Sequence, residues 1–180
     1  MTARTVYYVA QSLDGFIADR HGDLEWLLEF GFETFQAHYD SFFATVGAIV
    51  MGASTYRWLA ASGDPWPYPG LPTWVLTHGD LPVIDGATGV STATEAAAAA
   101  ALARAAAGSR SVWIVGGGAT AAQFSDADQL DELLVTVMPI TLGDGARLLP
   151  HAGTARRWLL TGTTSFDGGA IELAYRAVGD

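Results

Sequence analysis

An apolar run that ends in three glycines constrains the fold of this chain more than any other feature. Residues 112–115 have the composition of a buried strand, Gly116, Gly117 and Gly118 follow it, and a small-residue segment typical of a helix start comes next. The first N–H groups of such a helix have no intrahelical partners, and glycine has no Cβ atom to keep an anion away from them. The pattern therefore predicts a phosphate-binding turn, and the alternative is a tight turn that binds nothing.

The charge balance limits how a phosphate could be held. Nineteen acidic residues outnumber nine basic ones and give a formal net charge of -10. No run of Lys and Arg could follow a nucleic-acid backbone, and an acidic surface is repelled by anionic membranes, so we expect neither partner. A phosphate-bearing ligand would depend on backbone amides, hydroxyl groups and a few local cations. The chain lacks cysteine, which excludes disulfides and zinc–thiolate sites, and we expect no metal.

The sequence predicts neither a secretion signal nor a membrane-spanning segment. The N-terminus lacks a long apolar region, and the alanine-rich segment 96–107 is short and interrupted by Arg104. The absence of cysteine is compatible with a reducing compartment. We therefore expect a cytoplasmic protein.

The hydrophobic pattern predicts strands and helices in alternation. Predicted strands cover residues 5–10, 47–51, 73–77, 112–115 and 133–138, and helices are predicted through residues 32–42, 54–61 and 96–107. Four prolines between residues 62 and 72 predict an irregular loop. Thr92 and Glu95 predict a capping box before the third helix, which should end near Gly108. The alternation predicts an α/β domain with a mostly parallel sheet.

A hairpin is predicted at the end of the chain. Residues 158–165 and 170–178 flank Asp167 and Gly168, a pair that suits a tight turn. No repeat or linker interrupts the chain, so we expect a single domain over residues 1–180. Its many apolar and aromatic side chains would let the hairpin pair with a second copy, and we expect a homodimer.

Four motifs, taken in order, resemble those of the dihydrofolate-reductase-like superfamily. They are Ser12-Leu13-Asp14-Gly15-Phe16-Ile17-Ala18, Met51-Gly52-x-x-Thr55-Tyr56, the three glycines with Gln123-Phe124, and Met138-Pro139-Ile140-Thr141-Leu142-Gly143-Asp144-Gly145. In particular, the chain resembles the reductase domain of the riboflavin-biosynthesis deaminase–reductase and its stand-alone relatives. A Rossmann domain is excluded, because the glycines lie two-thirds of the way along the chain and no acidic residue follows about 20 positions later.

The resemblance implies both a fold and an activity. The fold is a three-layer dihydrofolate-reductase-like α/β fold, with a mostly parallel central sheet and a C-terminal antiparallel hairpin. The activity is that of an NADPH-dependent reductase of the dihydrofolate reductase or 5-amino-6-(5-phosphoribosylamino)uracil reductase type. Such an enzyme transfers a hydride to a small heterocyclic or ribosylamino substrate. The alternative is a nucleotide-binding module with the same fold and no turnover.

The resemblance also implies which residues bind the cofactor. NADPH would lie across the carboxyl ends of the parallel strands, with Ala10 and Ile17 beside the nicotinamide. Two helix N-termini would bind its phosphates, one through Gly52, Ser54 and Thr55, the other through Gly116, Gly117, Gly118, Ala119 and Thr120. Thr77 and His78, with Arg57 as a further candidate, are the groups available near the adenosine 2′-phosphate. The alternative for His78 is an exposed loop histidine.

Two residues are implied to contact the substrate, and one to donate the proton. Trp26 would pack at the mouth of the pocket, and Thr136 would hydrogen-bond a substrate group. The alternatives are a core position for Trp26 and a hydrogen bond within the sheet for Thr136. We assign the proton donor to Asp14, because the resembling loop contains it. The other carboxyl candidates are Asp23, Glu29 and Glu33.

Overall fold

A computed structural model describes residues 3–150 and 155–179. The strands are β1 (Thr5–Ser12), β2 (Phe16–Ala18), β3 (Val46–Gly52), β4 (Thr73–Leu76), β5 (Val90–Ala93), β6 (Ser111–Val115), β7 (Glu132–Met138), β8 (Ala146–Arg147), β9 (Trp158–Ser165) and β10 (Ile171–Ala177). The helices are α1 (Glu25–Leu28), α2 (Glu33–Phe43), α3 (Ala53–Ser62), α4 (Ala96–Ala107) and α5 (Gly118–Asp126). Strands and helices alternate through most of the described chain, as the hydrophobic pattern predicts.

Eight of the strands form one sheet in the order β5-β4-β3-β6-β1-β7-β10-β9. Strand β10 runs antiparallel to both of its neighbours, β7 and β9, and every other pairing in this sheet is parallel. Strands β2 and β8 form a separate antiparallel pair. This topology confirms the predicted α/β class, the mostly parallel sheet and the C-terminal hairpin.

Helices α4 and α5 cover one face of the sheet, α4 with small side chains and α5 with Phe124 as well. Ala99, Ala100 and Ala103 are fully buried in a core cluster with residues of the central strands. A Cβ atom at Gly47 in β3 would lie only 2.7 Å from the carbonyl oxygen of Ala107. The alanine-rich helix therefore packs very close to the sheet, because its side chains occupy little space.

Helices α2 and α3 cover the other face with aromatic side chains. Phe42 and Tyr56 pack with Trp113 of β6 and with Trp66 and Tyr68 of the proline-rich loop. That loop contains no helix or strand, as its prolines predict. The helices on the two faces and the sheet between them form three layers. Among the described residues, no helix is long and apolar enough to cross a membrane.

The predicted capping box before α4 is wrong. Thr92 lies in β5, where it pairs with Val75 of β4, so its backbone belongs to the edge of the sheet. Glu95 is itself the N-cap residue of α4, and its side chain makes no capping hydrogen bond. Strand β5 is not predicted from the sequence, because it has only four residues, two of them polar, and all four are exposed or half-buried.

Candidate functional site

A cavity of about 920 Å³ opens at the carboxyl ends of the central parallel strands. Ala10 of β1, Val115 of β6 and Thr136 of β7 line it, together with residues of β2, α1, α2, α3 and the adjoining loops. Open α/β sheets bind ligands at this edge. The cavity is therefore the candidate functional site.

The two turns that are predicted to bind phosphate both contribute residues to the lining of this cavity. They are residues 52–55 and 116–118, which we call the glycine turns. Met51 pairs with Val115 in the parallel pairing of β3 and β6, so the two chains leave the sheet side by side. Ser54 and Thr55 of one turn and Gly116 and Gly117 of the other are lining residues.

Direct contacts hold the glycine turns together. The amide of Gly117 donates a hydrogen bond to the hydroxyl oxygen of Thr55 at 3.3 Å. A Cβ atom at Gly116, whose φ is +81°, would lie 2.3 Å from the same oxygen, and one at Gly52 would lie 2.5 Å from the Thr120 hydroxyl oxygen. These glycines are thus required by the close approach of the two turns, whatever the cavity binds.

The helices that follow the glycine turns begin without a side-chain cap. Gly52 is the N-cap residue of α3 and Gly117 that of α5. The amides of Thr120 and Ala121 donate to the carbonyl oxygen of Gly117, while the earliest amides of each helix have no intrahelical acceptor. Such amides, together with the helix dipole, favour an anion at this edge of the cavity.

The structure brings some of the predicted site residues together and leaves others outside. The ones that line the cavity are Ala10, Ile17, Ser54, Thr55, Gly116, Gly117 and Thr136. Three others do not line it: Gly52 packs against the buried side chain of Thr120, and Gly118 packs against the carbonyl oxygens of Arg147 and Leu148. Ala119 is exposed at the start of α5 and does not line the cavity.

Thr77 and His78 lie in a turn after β4, outside the cavity lining. The Thr77 hydroxyl donates to the carbonyl oxygen of Gly79 at 3.0 Å and accepts from the Gly79 amide at 3.1 Å. Arg57 of α3 donates to the carbonyl oxygen of Asp80 at 3.2 Å. A cation from α3 is therefore tied to the turn that contains the exposed His78.

The structure corrects the predicted position of Trp26. Its side chain is only 8% exposed and packs with Met138 and Ala170 in a separate core cluster. Its neighbours Leu27 and Leu28 line the cavity instead. Trp26 thus occupies the core position that was the alternative to a place at the pocket mouth.

The structure places Asp14, the predicted proton donor, in a network of hydrogen bonds outside the cavity lining. The Ser12 hydroxyl donates to its carboxylate at 2.6 Å, and the amides of Leu142 and Gly143 donate at 3.1 and 2.7 Å. These hydrogen bonds, with that of Ser12 the strongest, lower the pKa of Asp14 to about 2. A carboxyl group that is ionised at neutral pH and lies outside the cavity lining is poorly suited to donate a proton.

Asp14 instead joins two of the four motifs. It bonds the loop after β1 to the segment after β7, and the Leu13 amide adds a hydrogen bond to the carbonyl oxygen of Ile140 at 2.8 Å. The same loop continues into Ile17 and Ala18, which line the cavity. Asp14 therefore positions part of the cavity wall.

The described residues that line the cavity are all uncharged. Among the described residues, its lining contains no Asp, Glu, His, Lys or Arg, so Asp23, Glu29 and Glu33 are also outside it. The phenols of Tyr8, Tyr39 and Tyr68 line it, and burial raises the pKa of each. These hydroxyl groups stay protonated at neutral pH and can donate hydrogen bonds.

A buried acid next to this lining was missed by the sequence analysis. Glu172 of β10 pairs with Thr136 of β7 and is 4% exposed. The ring nitrogen Nε2 of His38 lies 2.9 Å from both of its carboxylate oxygens. Burial raises the pKa of Glu172 while His38 opposes the shift, and the charge of Glu172 raises the pKa of Tyr8 further. The sequence signal that could have identified Glu172 is its position as an acidic residue between two apolar residues of a strand.

Comparisons with known proteins identify relatives along the whole chain. The family model of the RibD C-terminal domain matches residues 70–171. The uncharacterized protein YwjB of Bacillus subtilis (strain 168) is 33% identical over 175 residues, which are 97% of this chain and 98% of YwjB. The crystal structure of a candidate riboflavin biosynthesis protein from Shewanella sp. PV-4 is 25% identical, with a TM-score of 0.81 over 99% of this chain and all of that one.

The fold is also that of a dihydrofolate reductase. The structure of the Enterococcus faecalis dihydrofolate reductase complexed with NADP(H) superposes with a TM-score of 0.61. It covers 98% of this chain and 99% of that one at 18% identity, so the likeness concerns the fold. These comparisons confirm the resemblance to the dihydrofolate-reductase-like superfamily and to relatives of the riboflavin-biosynthesis reductase domain.

Proposed function

This chain belongs to the RibD C-terminal domain family, and from that premise we propose that it is an NADPH-dependent reductase. Its substrate would be a small heterocyclic or ribosylamino compound. One observation carries the proposal: both glycine turns line the same cavity as Ala10, Ile17 and Thr136. An anion site and an apolar pocket thus share one opening, as a phosphate-bearing cofactor and its substrate require.

The residues at the glycine turns fit the diphosphate of a nicotinamide dinucleotide. The chain carries a formal net charge of -10, so the site has to rely on backbone amides and hydroxyls rather than on many cations. The N-termini of α3 and α5, with the hydroxyls of Ser54 and Thr55, provide such groups at one edge of the cavity. When bound, the cofactor would supply a hydride.

We propose NADPH rather than NADH on the resemblance to the family, and the turn after β4 supports this choice. Arg57 is bonded to that turn, which also carries Thr77 and His78. The turn follows β4, which pairs in parallel with β3, and β3 leads into the N-terminus of α3. The turn and this helix N-terminus therefore lie at the same edge of the sheet. A 2′-phosphate in this place would meet a guanidinium group and an imidazole.

The chain's own residues would orient the substrate and exclude water. The walls of the cavity are apolar, and Tyr8, Tyr39 and Thr136 present hydroxyl groups that can donate to a substrate acceptor. His38 and Glu172 lie behind Tyr8 and Thr136 and are hydrogen-bonded to each other there. No carboxyl group of the described residues lines the cavity, so the proton of the reduction would come from water at its mouth.

The proposal is tested by binding and by turnover. Calorimetric titration is expected to give micromolar binding of NADPH and weaker binding of NADH. Loss of nicotinamide absorbance on addition of a pyrimidine or pteridine substrate would demonstrate turnover. Absence of binding by either dinucleotide would end the proposal.

A second candidate is a nucleotide-binding module of the same fold without turnover. The absence of a carboxyl group from the described cavity lining favours it, because reduction also requires a proton. Tight NADPH binding combined with no oxidation across a broad panel of heterocycles would support this alternative over the reductase.

We also propose that a second copy of the chain covers the C-terminal hairpin. Strand β9 is an edge of the eight-stranded sheet, and Leu159 and Leu160 on it are exposed. An edge strand with exposed apolar side chains favours pairing with another chain. Sedimentation at micromolar concentration should give a dimer, which Leu160→Lys should dissociate. A wild-type monomer would contradict this.

A further inference from the structure

We infer that the substrate of this chain is a flat, uncharged aromatic molecule without a phosphate group, bound against the apolar part of the cavity. The inference rests on the proposed function, since it names the substrate class of that same site. It distinguishes this chain from a reductase whose substrate carries a phosphoribosyl group.

One side of the cavity is an apolar wall made by α1, α2 and the segments around them. This apolar wall consists of Leu24, Leu27, Leu28, Phe32 and Phe35. Leu28 is 72% exposed and Phe32 is 51% exposed, although both are large apolar side chains. Exposed apolar groups that gather at the mouth of a concave site indicate a ligand that covers them.

Helix α3 adds a further aromatic group to the same cavity. Trp58 is 50% exposed and lines it together with Leu59. Tyr39 and Trp113 line the deeper part and are in edge-on contact with each other at 6.0 Å between ring centroids. Aromatic side chains favour flat aromatic ligands, because stacked or edge-on rings remove large areas from water.

The charges of the site argue against a phosphate on the substrate. The described residues contribute no cation to the cavity lining. The anion-binding amides are those of the glycine turns, and the diphosphate of the cofactor would occupy them. A second phosphate would then lie against apolar side chains with its charge unpaired, which is strongly unfavourable.

The polar groups of the apolar part are suited to a neutral ligand. Tyr8, Tyr39 and Tyr68 present phenol hydroxyls, and Thr136 presents an alcohol. All are neutral donors that match a ring carbonyl or ring nitrogen. The chemistry of this part is therefore that of a neutral ring system with one or two acceptor atoms.

A pair of probes that differ only by a phosphate tests the inference. We would measure the binding of 4-methylumbelliferone and of 4-methylumbelliferyl phosphate by fluorescence, at a mildly acidic pH that keeps the free hydroxyl protonated. Saturating inorganic phosphate in the buffer blocks the glycine turns. We expect the neutral probe to bind at least about tenfold more tightly. Equal or tighter binding of the phosphate, or no binding of either probe, would overturn the inference.

A charge placed at the mouth makes the test specific to this cavity. Leu28→Lys adds a cation at an exposed position of the apolar wall, so the preference for the neutral probe should shrink severalfold. Leu102→Lys makes the same change at an exposed position of α4, outside the cavity lining, and should leave the preference unchanged. Equal effects of the two variants would overturn the inference.

The two proposals fail separately in these experiments. Probe binding is measured without a dinucleotide, so it reports on the apolar part alone. NADPH titration of the same protein reports on the glycine turns. A protein that binds NADPH but prefers the phosphorylated probe would keep the reductase proposal and lose the substrate class.

Discussion

The glycine turns and the apolar wall line one cavity but are built from different parts of the chain. The turns present main-chain groups at the ends of two neighbouring parallel strands, and their glycines are required for close packing. The apolar wall presents side chains of α1 and α2, several of them exposed to solvent. The first region depends on backbone geometry and tolerates few substitutions, whereas the second can change its side chains without disturbing the sheet. We expect the first to define the cofactor and the second the substrate.

The largest effect is expected at the glycine turns, which are the more tightly packed of the two regions. Gly116→Ala places a Cβ atom 2.3 Å from the Thr55 hydroxyl oxygen at a residue with φ +81°. Strain and overpacking together should lower the free energy of unfolding by about 2–4 kcal/mol. Urea unfolding measures this, with Gly79→Ala as control, because nothing lies within 4 Å of a Cβ atom there. Similar losses in both variants would contradict the packing argument.

A charge at the glycine turns sharpens the comparison by separating binding from stability. Ser54→Asp adds a negative charge in the first turn of α3, which favours the helix but repels a phosphate. The dissociation constant for NADPH should rise about tenfold or more, with an undiminished unfolding midpoint. Ser62→Asp makes the same change at the other end of α3 and serves as the matched control. Unchanged NADPH affinity in Ser54→Asp would mean that the phosphates of NADPH do not bind at the N-terminus of α3.

A smaller effect is expected at the loop after β1, which contains Asp14 and leads to Ile17 in the cavity lining. The pKa of Asp14 is lowered to about 2, so its bonds stabilise the fold above the ordinary carboxyl pKa, and that contribution is lost as the pH falls through about 2. Asp14→Asn should remove this part of the acid dependence and reduce stability at neutral pH. Urea unfolding across the acid range tests this against Asp64→Asn. Identical acid profiles of wild type and Asp14→Asn would contradict the anchoring role.

The same variant examines the assignment of Asp14 as a positioning residue. If the protein turns over, Asp14→Asn should keep measurable activity with the pH profile of the wild type, because the carboxylate is not the proton source. Complete loss of turnover in a folded variant that still binds NADPH would restore Asp14 as the donor.

The sequence predicted what depends on local pattern. Continuous apolar runs located β3, β6 and β7, and glycine located the end of α4 at Gly108. It also located both glycine turns, because each is a short segment between a strand and a helix. The short strand β5 was not predicted, since it is defined by its hydrogen bonds to β4 and not by a pattern of apolar side chains.

The rest depended on contacts between distant segments. Asp14 is bonded to residues 128 and 129 positions away, and no local pattern distinguishes such an anchor from a catalytic acid. His38 and Glu172 are 134 positions apart, so their pairing is visible only in the fold. The position of Trp26 in the core likewise depended on Met138 and Ala170 from other strands and loops.

The account depends most directly on main-chain amides that bind the cofactor's phosphates. An NMR titration with NADPH that follows the backbone amide resonances tests this residue by residue. We predict the largest shifts at the glycine turns, residues 52–55 and 116–118, and small ones in the C-terminal hairpin. Saturable NADPH binding that leaves the amides of both glycine turns unshifted would contradict the account.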